Sequence, residues 1–338
     1  MKILLFSHSF YPNIGGIESI SLMLANNFYN RQDVSVIVVT RTKEIGSQLF
    51  PFQVVRNPSV KEITNLLSWC DVVFENNPCL SMTWPNLLMR KPKIVGLQTW
   101  IGAPNEKITF QQKLKKQILS DYNVVTACSS KIKTFIYNKA IVIGNPYDSN
   151  NFLQQAVNKK YDFVFVGRLV SDKGADMCID LLNELNNFNV NQYSLTIIGD
   201  GPEMKKLRKL AATYNLTNQI RFLGFLQAEA IAKELNEHRY LLVPSRWEEP
   251  FGIVALEGMA CGCIPIVSDG GGLPDAVGKA GVVFERNSLL SLIQSTIQLL
   301  ENKEQQTNLL AYAQAHLSLH TEKKVSQRYF DIILDTLK

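Results

Sequence analysis

Along the chain, short apolar runs rich in β-branched residues alternate with stretches in which apolar positions return every three or four residues. The runs predict strands at Lys2–Ser7, Val34–Thr40, Gln53–Arg56, Asp71–Glu75, Lys93–Gln98, Asn123–Cys128 and Ala140–Gly144. The longer period predicts helices at Ile17–Tyr29, Lys61–Trp69, Phe110–Leu119 and Ser130–Tyr137. Strands alternating with helices imply a parallel sheet covered on both faces.

A turn-rich segment, Asn145-Pro146-Tyr147-Asp148-Ser149-Asn150-Asn151, interrupts this pattern, and the polar Asn158-Lys159-Lys160 follows. The alternation then restarts. Strands are predicted at Tyr161–Val166, Ser194–Ile198, Ile220–Leu223, Tyr240–Pro244, Ile264–Ser268 and Gly281–Glu285, and helices at Ala175–Asn186, Pro202–Tyr214, Ala228–Glu237 and Gly252–Ala260. Three helical stretches close the chain. At 338 residues, too long for one ordinary core, the sequence predicts two α/β domains over residues 1–150 and 151–320, and a terminal helix over 321–338.

Composition changes this picture little. Hydrophobic residues make up 46% and charged residues 19%, which suits a packed globular chain. No apolar run reaches the roughly 20 residues of a membrane span. Ser7-His8-Ser9 cuts the N-terminal apolar run too early for a secretory signal, so a cytoplasmic location is expected. Cys261-Gly262-Cys263 lacks the two-residue spacer of metal or redox pairs, and the four histidines form no ligand set, so no metal site is expected. No nucleic-acid partner is expected.

Charge is uneven: residues 1–150 carry 16 Lys/Arg against 9 Asp/Glu, and the remainder 19 against 21. A basic first half could meet the inner face of a membrane peripherally, or an anionic lipid-linked substrate; it could equally be a solvated face. One segment focuses the question. Lys107, Lys113, Lys115 and Lys116 accompany Ile108, Phe110, Leu114, Ile118 and Leu119, and Phe110, Leu114 and Ile118 share one helical face. That face can lie on acidic lipid or pack against the sheet.

Candidate chemistry gathers in strand-to-helix loops. Gly15 and Gly16 precede a helix whose free N–H groups favour an anion, a weak signal by itself. After the strand ending at Val166, Gly167-Arg168 and Lys173-Gly174 put two cations at the carboxyl edge of a sheet, where they suit a diphosphate; two solvated cations are the alternative. Glu249-Pro250-Phe251-Gly252 opens the next such helix, and Glu257 follows among Ile253, Val254, Leu256 and Met259. A carboxylate there is costly to bury without a partner, and ribose hydroxyls would supply one. Gly270-Gly271-Gly272 could pass beside a ligand without side-chain obstruction, whereas Gly199-Asp200-Gly201-Pro202 reads mainly as turn chemistry.

Together these motifs resemble glycosyltransferase family 4 over nearly the whole chain, and Asn145-Pro146-Tyr147-Asp148 resembles that family's Asn-Gly-x-Asp junction with proline in place of glycine. The resemblance implies a GT-B fold: two Rossmann-like domains facing a central cleft, with the helix over 321–338 crossing back to pack on the first. It implies retaining transfer of a sugar from a nucleotide diphosphate sugar, most often a UDP-sugar. The implied acceptor is a saccharide or lipid-linked oligosaccharide in cell-surface polysaccharide synthesis, with no metal or other cofactor. Carried onto this sequence, Arg168 and Lys173 would hold and neutralise the diphosphate and, with Glu249 beside the transferred sugar, form the catalytic set. Glu257 would bind the ribose. Gly15, Gly16, Gly167, Phe251, Gly252 and Ile253 would complete the donor site, the Phe251 and Gly252 amides meeting sugar hydroxyls or phosphate. Where the family often places a sugar-facing histidine this chain has Gln98, followed by Trp100; both become candidate sugar or acceptor contacts, and glutamine cannot take a proton. A nucleotide-sugar-binding subunit without turnover, or another GT-B enzyme such as a nucleotide-sugar epimerase, remain the alternatives.

Overall fold

Seven strands build the first sheet: β1 (Lys2–Ser7), β2 (Ser35–Thr40), β3 (Gln53–Arg56), β4 (Val72–Asn76), β5 (Lys93–Leu97), β6 (Val124–Ala127) and β7 (Ile141–Val142). They run in the order β3-β2-β1-β4-β5-β6-β7, every neighbouring pair parallel. Ile3, Leu4, Leu5 and Phe6 of β1 are all buried, the continuous apolar run expected of a strand covered on both faces. The computed structural model describes residues 1–13, 15–43, 49–102, 109–188 and 192–338. It divides into two units, Met1–Pro146 with Glu322–Lys338, and Tyr147–Thr321.

In the first unit, helices Gly16–Tyr29, Val60–Trp69, Phe110–Ile118 and Ser130–Ile136 stand close to their predicted places. Ser59 and Glu62 close a reciprocal capping box that fixes where Val60–Trp69 begins. Two short helices, Leu80–Thr83 and Asn86–Met89, were not expected; each is a single turn, too brief to show a period. The predicted strand Ala140–Gly144 shrinks to the two residues of β7, an edge strand paired with β6 alone. The last helix, Glu322–Thr336, belongs to this unit and buries Val325, Ser326, Tyr329 and Ile333. Its Phe330 ring lies 6.1 Å from Phe28, Tyr329 meets the edge of Phe74 at 5.5 Å, and Arg328 donates to the Val142 carbonyl at 2.7 Å.

The second unit carries β8 (Tyr161–Val166), β9 (Leu195–Ile198), β10 (Ile220–Gly224), β11 (His238–Val243), β12 (Ile264–Ser268) and β13 (Val282–Phe284) in the order β10-β9-β8-β11-β12-β13, again all parallel. One face of this sheet buries Phe163, Phe165, Leu195, Ile197, Leu242 and Ile266 with Cys178, Leu181 and Leu185 from helix Ala175–Phe188. β11 begins two residues earlier than predicted because His238, buried and polar, is satisfied there by the Glu234 carbonyl at 2.5 Å and Thr196 Oγ1 at 2.8 Å. The helix predicted from Pro202 begins at Met204, since the Glu203 N–H is taken by the Leu169 carbonyl at 3.0 Å. All six cysteines are buried free thiols. Among the described residues no helix is long and apolar enough to cross a membrane.

Candidate functional site

The second sheet changes direction at β8, which has β9 on one side and β11 on the other. Loops leaving the carboxyl ends of strands at such a reversal are where open α/β sheets take ligands. Three of them carry the motifs: 167–174 after β8, 244–252 after β11 and 269–272 after β12.

The first loop is braced by backbone. Gly167 N donates to the Ile198 carbonyl at 3.0 Å, and Leu169 N to the Asp200 carbonyl at 2.9 Å. A Cβ on Gly199 (φ +136°) would stand 1.8 Å from the Gly167 carbonyl oxygen, so only glycine allows this approach. Gly199-Asp200-Gly201 is therefore more than a turn: it props the loop that bears Arg168. A short 3-10 turn, Ser171–Lys173, then ends at Gly174 (φ +72°), where a Cβ would lie 2.1 Å from the Pro244 carbonyl oxygen of the second loop.

The two cations differ. Arg168 is exposed, and its side chain has no hydrogen bond or ion pair among the described residues. Lys173 is only 21% exposed: its ammonium pairs with Glu249 Oε1 and lies 5.6 Å above the Trp247 ring. Glu249 is buried, and Ser245 Oγ donates to the same Oε1 at 2.9 Å. The glycine loop serves this carboxylate. Gly272 N donates to the Glu249 carbonyl at 2.7 Å, and a Cβ on Gly271 (φ +64°) would sit 2.0 Å from that oxygen. Gly271 is thus needed for close packing on Glu249.

Beyond Glu249, Phe251 is buried with its ring 5.5 Å from His320, and Gly252 (φ +102°) leads into helix Ile253–Ala260. A helix start leaves its first N–H groups without intrahelical acceptors, which gives Gly252 and Ile253 the polarity to meet oxygen atoms. Glu257 lies one turn further on. Burial, and secondarily the Asp148 carboxylate, push its carboxyl from 4.5 up to about 7. Asp148 itself is occupied by Asn150 N, Asn151 N and Asn151 Nδ2 at 3.0, 3.2 and 2.6 Å. The Glu257 carboxyl has no hydrogen bond or ion pair among the described residues, so a half-buried acid stands ready for an outside donor.

The other candidates lie in the first unit. Gly15 caps helix Gly16–Tyr29 in extended backbone, and a Cβ there would come within 2.6 Å of Glu18 Oε2. Asn76 Nδ2 donates to the Ile17 carbonyl at 3.0 Å and to Ser21 Oγ at 2.6 Å, which ties this helix start to the end of β4. Gln98 follows β5 and is buried. Its Nε2 donates to Tyr329 Oη at 3.1 Å, while its Oε1 is buried without a partner among the described residues. Trp100 packs edge-on against Phe135 at 5.5 Å.

Sequence reasoning missed the supports. Ser245 and Trp247 flank the Lys173–Glu249 pair, Arg246 holds Asp176 bidentately at 2.7 and 2.9 Å, and Arg286 holds Glu248 at 2.8 Å. Apart from Ser245, four residues before Glu249, these partners stand tens of residues apart along the chain, so no local pattern announces them.

Residues 148–316, which contain all of these loops, match the family described as glycosyl transferases group 1. The chain belongs to that family. This group 1 chain is 34% identical over 170 residues to the glycosyltransferase MJ1178 of Methanocaldococcus jannaschii, covering 49% of this chain and 45% of the relative. It is 31% identical over 148 residues to N-acetyl-alpha-D-glucosaminyl L-malate synthase of Bacillus anthracis, covering 42% and 38%. The aligned segment thus spans less than half the length of either relative. Among solved structures, Anabaena Alr3699/HepE in complex with UDP superimposes with a TM-score of 0.81 at 19% identity, over 99% of this chain and all of the other. The group 1 chain has the α/β fold of GT-B glycosyltransferases, with a seven-stranded and a six-stranded parallel sheet.

Proposed function

We propose that this chain is a retaining glycosyltransferase that takes a UDP-sugar on its second unit and passes the sugar to a saccharide or lipid-linked oligosaccharide in cell-surface polysaccharide synthesis. The observation that carries the reading is Glu257: a half-buried acid raised to about 7 and lacking a hydrogen bond or ion pair among the described residues, a turn along the helix that Gly252 opens. Two ribose hydroxyls would donate to it, while Arg168, whose side chain has no partner among the described residues, would take the diphosphate with Lys173. Lys173 has three N–H donors, so its pairing with Glu249 leaves two for phosphate oxygens. A similar fold has been solved with UDP and with UDP-glucose bound, which supports the choice of donor.

In the reaction the sugar C1–oxygen bond to the diphosphate breaks and its electron pair leaves with the nucleotide. The acceptor hydroxyl oxygen bonds to C1 from the same face, and its proton passes to the departing phosphate oxygen. Arg168 and Lys173 stabilise the charge that grows on that phosphate. Glu249, fixed by Lys173 and Ser245, would orient the transferred sugar, and the Phe251 and Gly252 amides would hold sugar or phosphate oxygens. The chain itself supplies these groups on this reading, with no metal required.

A thermal-shift comparison of UDP-, GDP- and ADP-sugars tests the donor site. A ligand at a hundred times its Kd stabilises by about 2.7 kcal/mol, and UDP-sugars should give the largest rise. No shift with any nucleotide sugar would refute the reading. A donor-binding subunit without turnover is the second reading, favoured by Gln98, whose amide is already given to Tyr329. A UDP-sugar shift without donor hydrolysis or transfer would select it.

A further inference from the structure

The predicted stripe Phe110, Leu114 and Ile118 is not buried: the first two residues are exposed and Ile118 is half-buried. Helix Phe110–Ile118 buries none of its residues, Phe110 is 80% exposed and Leu114 42%. Lys107 and Ile108, part of the same expectation, lie outside the described residues. A second segment adds to this apolar surface: Trp84 is 45% exposed, Leu87 50% and Leu88 80%. The two segments converge on a cavity of about 240 Å³, whose walls are Trp84, Leu87, Leu114 and Ile118.

The floor of the cavity offers a ligand little polar chemistry. Glu75 is there, but its oxygens already accept from Cys79 N at 2.6 Å and from Tyr122 Oη at 2.8 Å. The rim is basic. The described residues of 80–122 carry six Lys/Arg against one Asp/Glu, and Arg90 and Lys113 are exposed without an ion pair among the described residues. Lys93, at the cavity, lies 4.7 Å over the Tyr122 ring. An α-helix with its side chains is about 10–12 Å across, too wide for such a cavity, whereas an alkyl chain is one methylene wide. An apolar socket ringed by exposed large side chains and unpaired cations complements a surface that presents anionic headgroups above hydrocarbon.

We propose that this face of the first unit binds an anionic lipid bilayer, with one acyl chain seated in the cavity between Trp84, Leu87, Leu114 and Ile118. Arg90 and Lys113 meet the headgroups, and Leu88 and Phe110 enter the boundary between headgroups and chains. This mode needs no membrane-crossing helix, and it does not depend on donor binding.

Co-sedimentation of the full chain with phosphatidylcholine vesicles, with and without phosphatidylglycerol, tests it. Binding should require phosphatidylglycerol and weaken as salt rises. Leu88→Ser with Phe110→Ser should lower the partition by about tenfold or more, since each removes a large apolar side chain from the contact. Both positions are exposed, so circular dichroism and the melting temperature should stay unchanged. Bromine placed along the acyl chains should quench Trp84 emission, and the quenching should vanish in Trp84→Phe, which separates this residue from Trp69, Trp100 and Trp247. Equal recovery in the supernatant with both vesicle types, or binding that the double variant leaves intact, overturns the proposal. Binding without quenching of Trp84 overturns the seating of a chain.

Discussion

Lys173 and Glu249, 76 residues apart, form an ion pair that ties the loop after β8 to the loop after β11. The pair makes the two candidate phosphate-binding cations inequivalent. Arg168→Ala removes an exposed, unpaired side chain and should leave stability within about 0.5 kcal/mol of the parent. Lys173→Ala strands a carboxylate that is only 11% exposed and should cost about 1–2 kcal/mol, less than a fully buried pair because water still reaches the site. Urea unfolding distinguishes the two. Both should lose turnover by about two to three orders of magnitude with a UDP-sugar donor.

The acid at Glu257 predicts a pH effect with a definite sign. Between pH 4.5 and about 7 the folded carboxyl keeps its proton while the unfolded one has lost it, so folding stability falls as pH rises through that window. Glu257→Gln removes this penalty. The empty variant should be more stable than the parent by about 1–2 kcal/mol at pH 8, and the difference should close by pH 5. Melting curves across this range check it. Donor affinity should move the opposite way, weaker in Glu257→Gln, with the maximal rate less affected.

Two glycines with similar backbone and different surroundings separate strain from clash. Gly224 (φ +70°) has nothing within 4 Å of a Cβ, so Gly224→Ala should cost about 1 kcal/mol, the backbone term alone. Gly271→Ala adds a 2.0 Å clash with the Glu249 carbonyl oxygen and should cost clearly more, roughly 3 kcal/mol or beyond. Denaturant midpoints at equal slope would establish the ranking.

Gln98 and Tyr329 should behave as one unit. Gln98→Ala and Tyr329→Phe each break their 3.1 Å hydrogen bond, so the double variant should be less destabilised than the sum of the single ones by about 0.5–1.5 kcal/mol. Additive losses would show that the bond contributes nothing.

Both sheets were legible because each strand is a run of apolar residues between polar ends, and β1, β3, β8 and β12 begin and finish where the pattern says. The two single-turn helices were not, since four residues show no period, yet the second supplies Leu87 and Leu88 and the first is capped by Trp84. Glu257 could be picked out from its apolar neighbours, because an isolated acid on such a helix is visible in one turn of sequence. The pairing of Lys173 with Glu249 could not, nor the reason for Gly199 and Gly271, because each depends on a backbone or carboxylate brought from a distant loop. Arg168 and Lys173 look alike in sequence; only the second finds an acid within reach.

Residues Tyr147–Thr321 interrupt the first unit, whose helix Glu322–Thr336 is made only after them. During synthesis at about 5–20 residues per second, the 175 residues of that interruption take roughly 10–35 s. Through that interval the newborn first unit lacks Tyr329 and Phe330, and the Phe28 and Phe74 rings they pack against stay uncovered. Its maturation is therefore timed by the ribosome: the sheet can assemble early, but these rings are covered only once helix Glu322–Thr336 has been made.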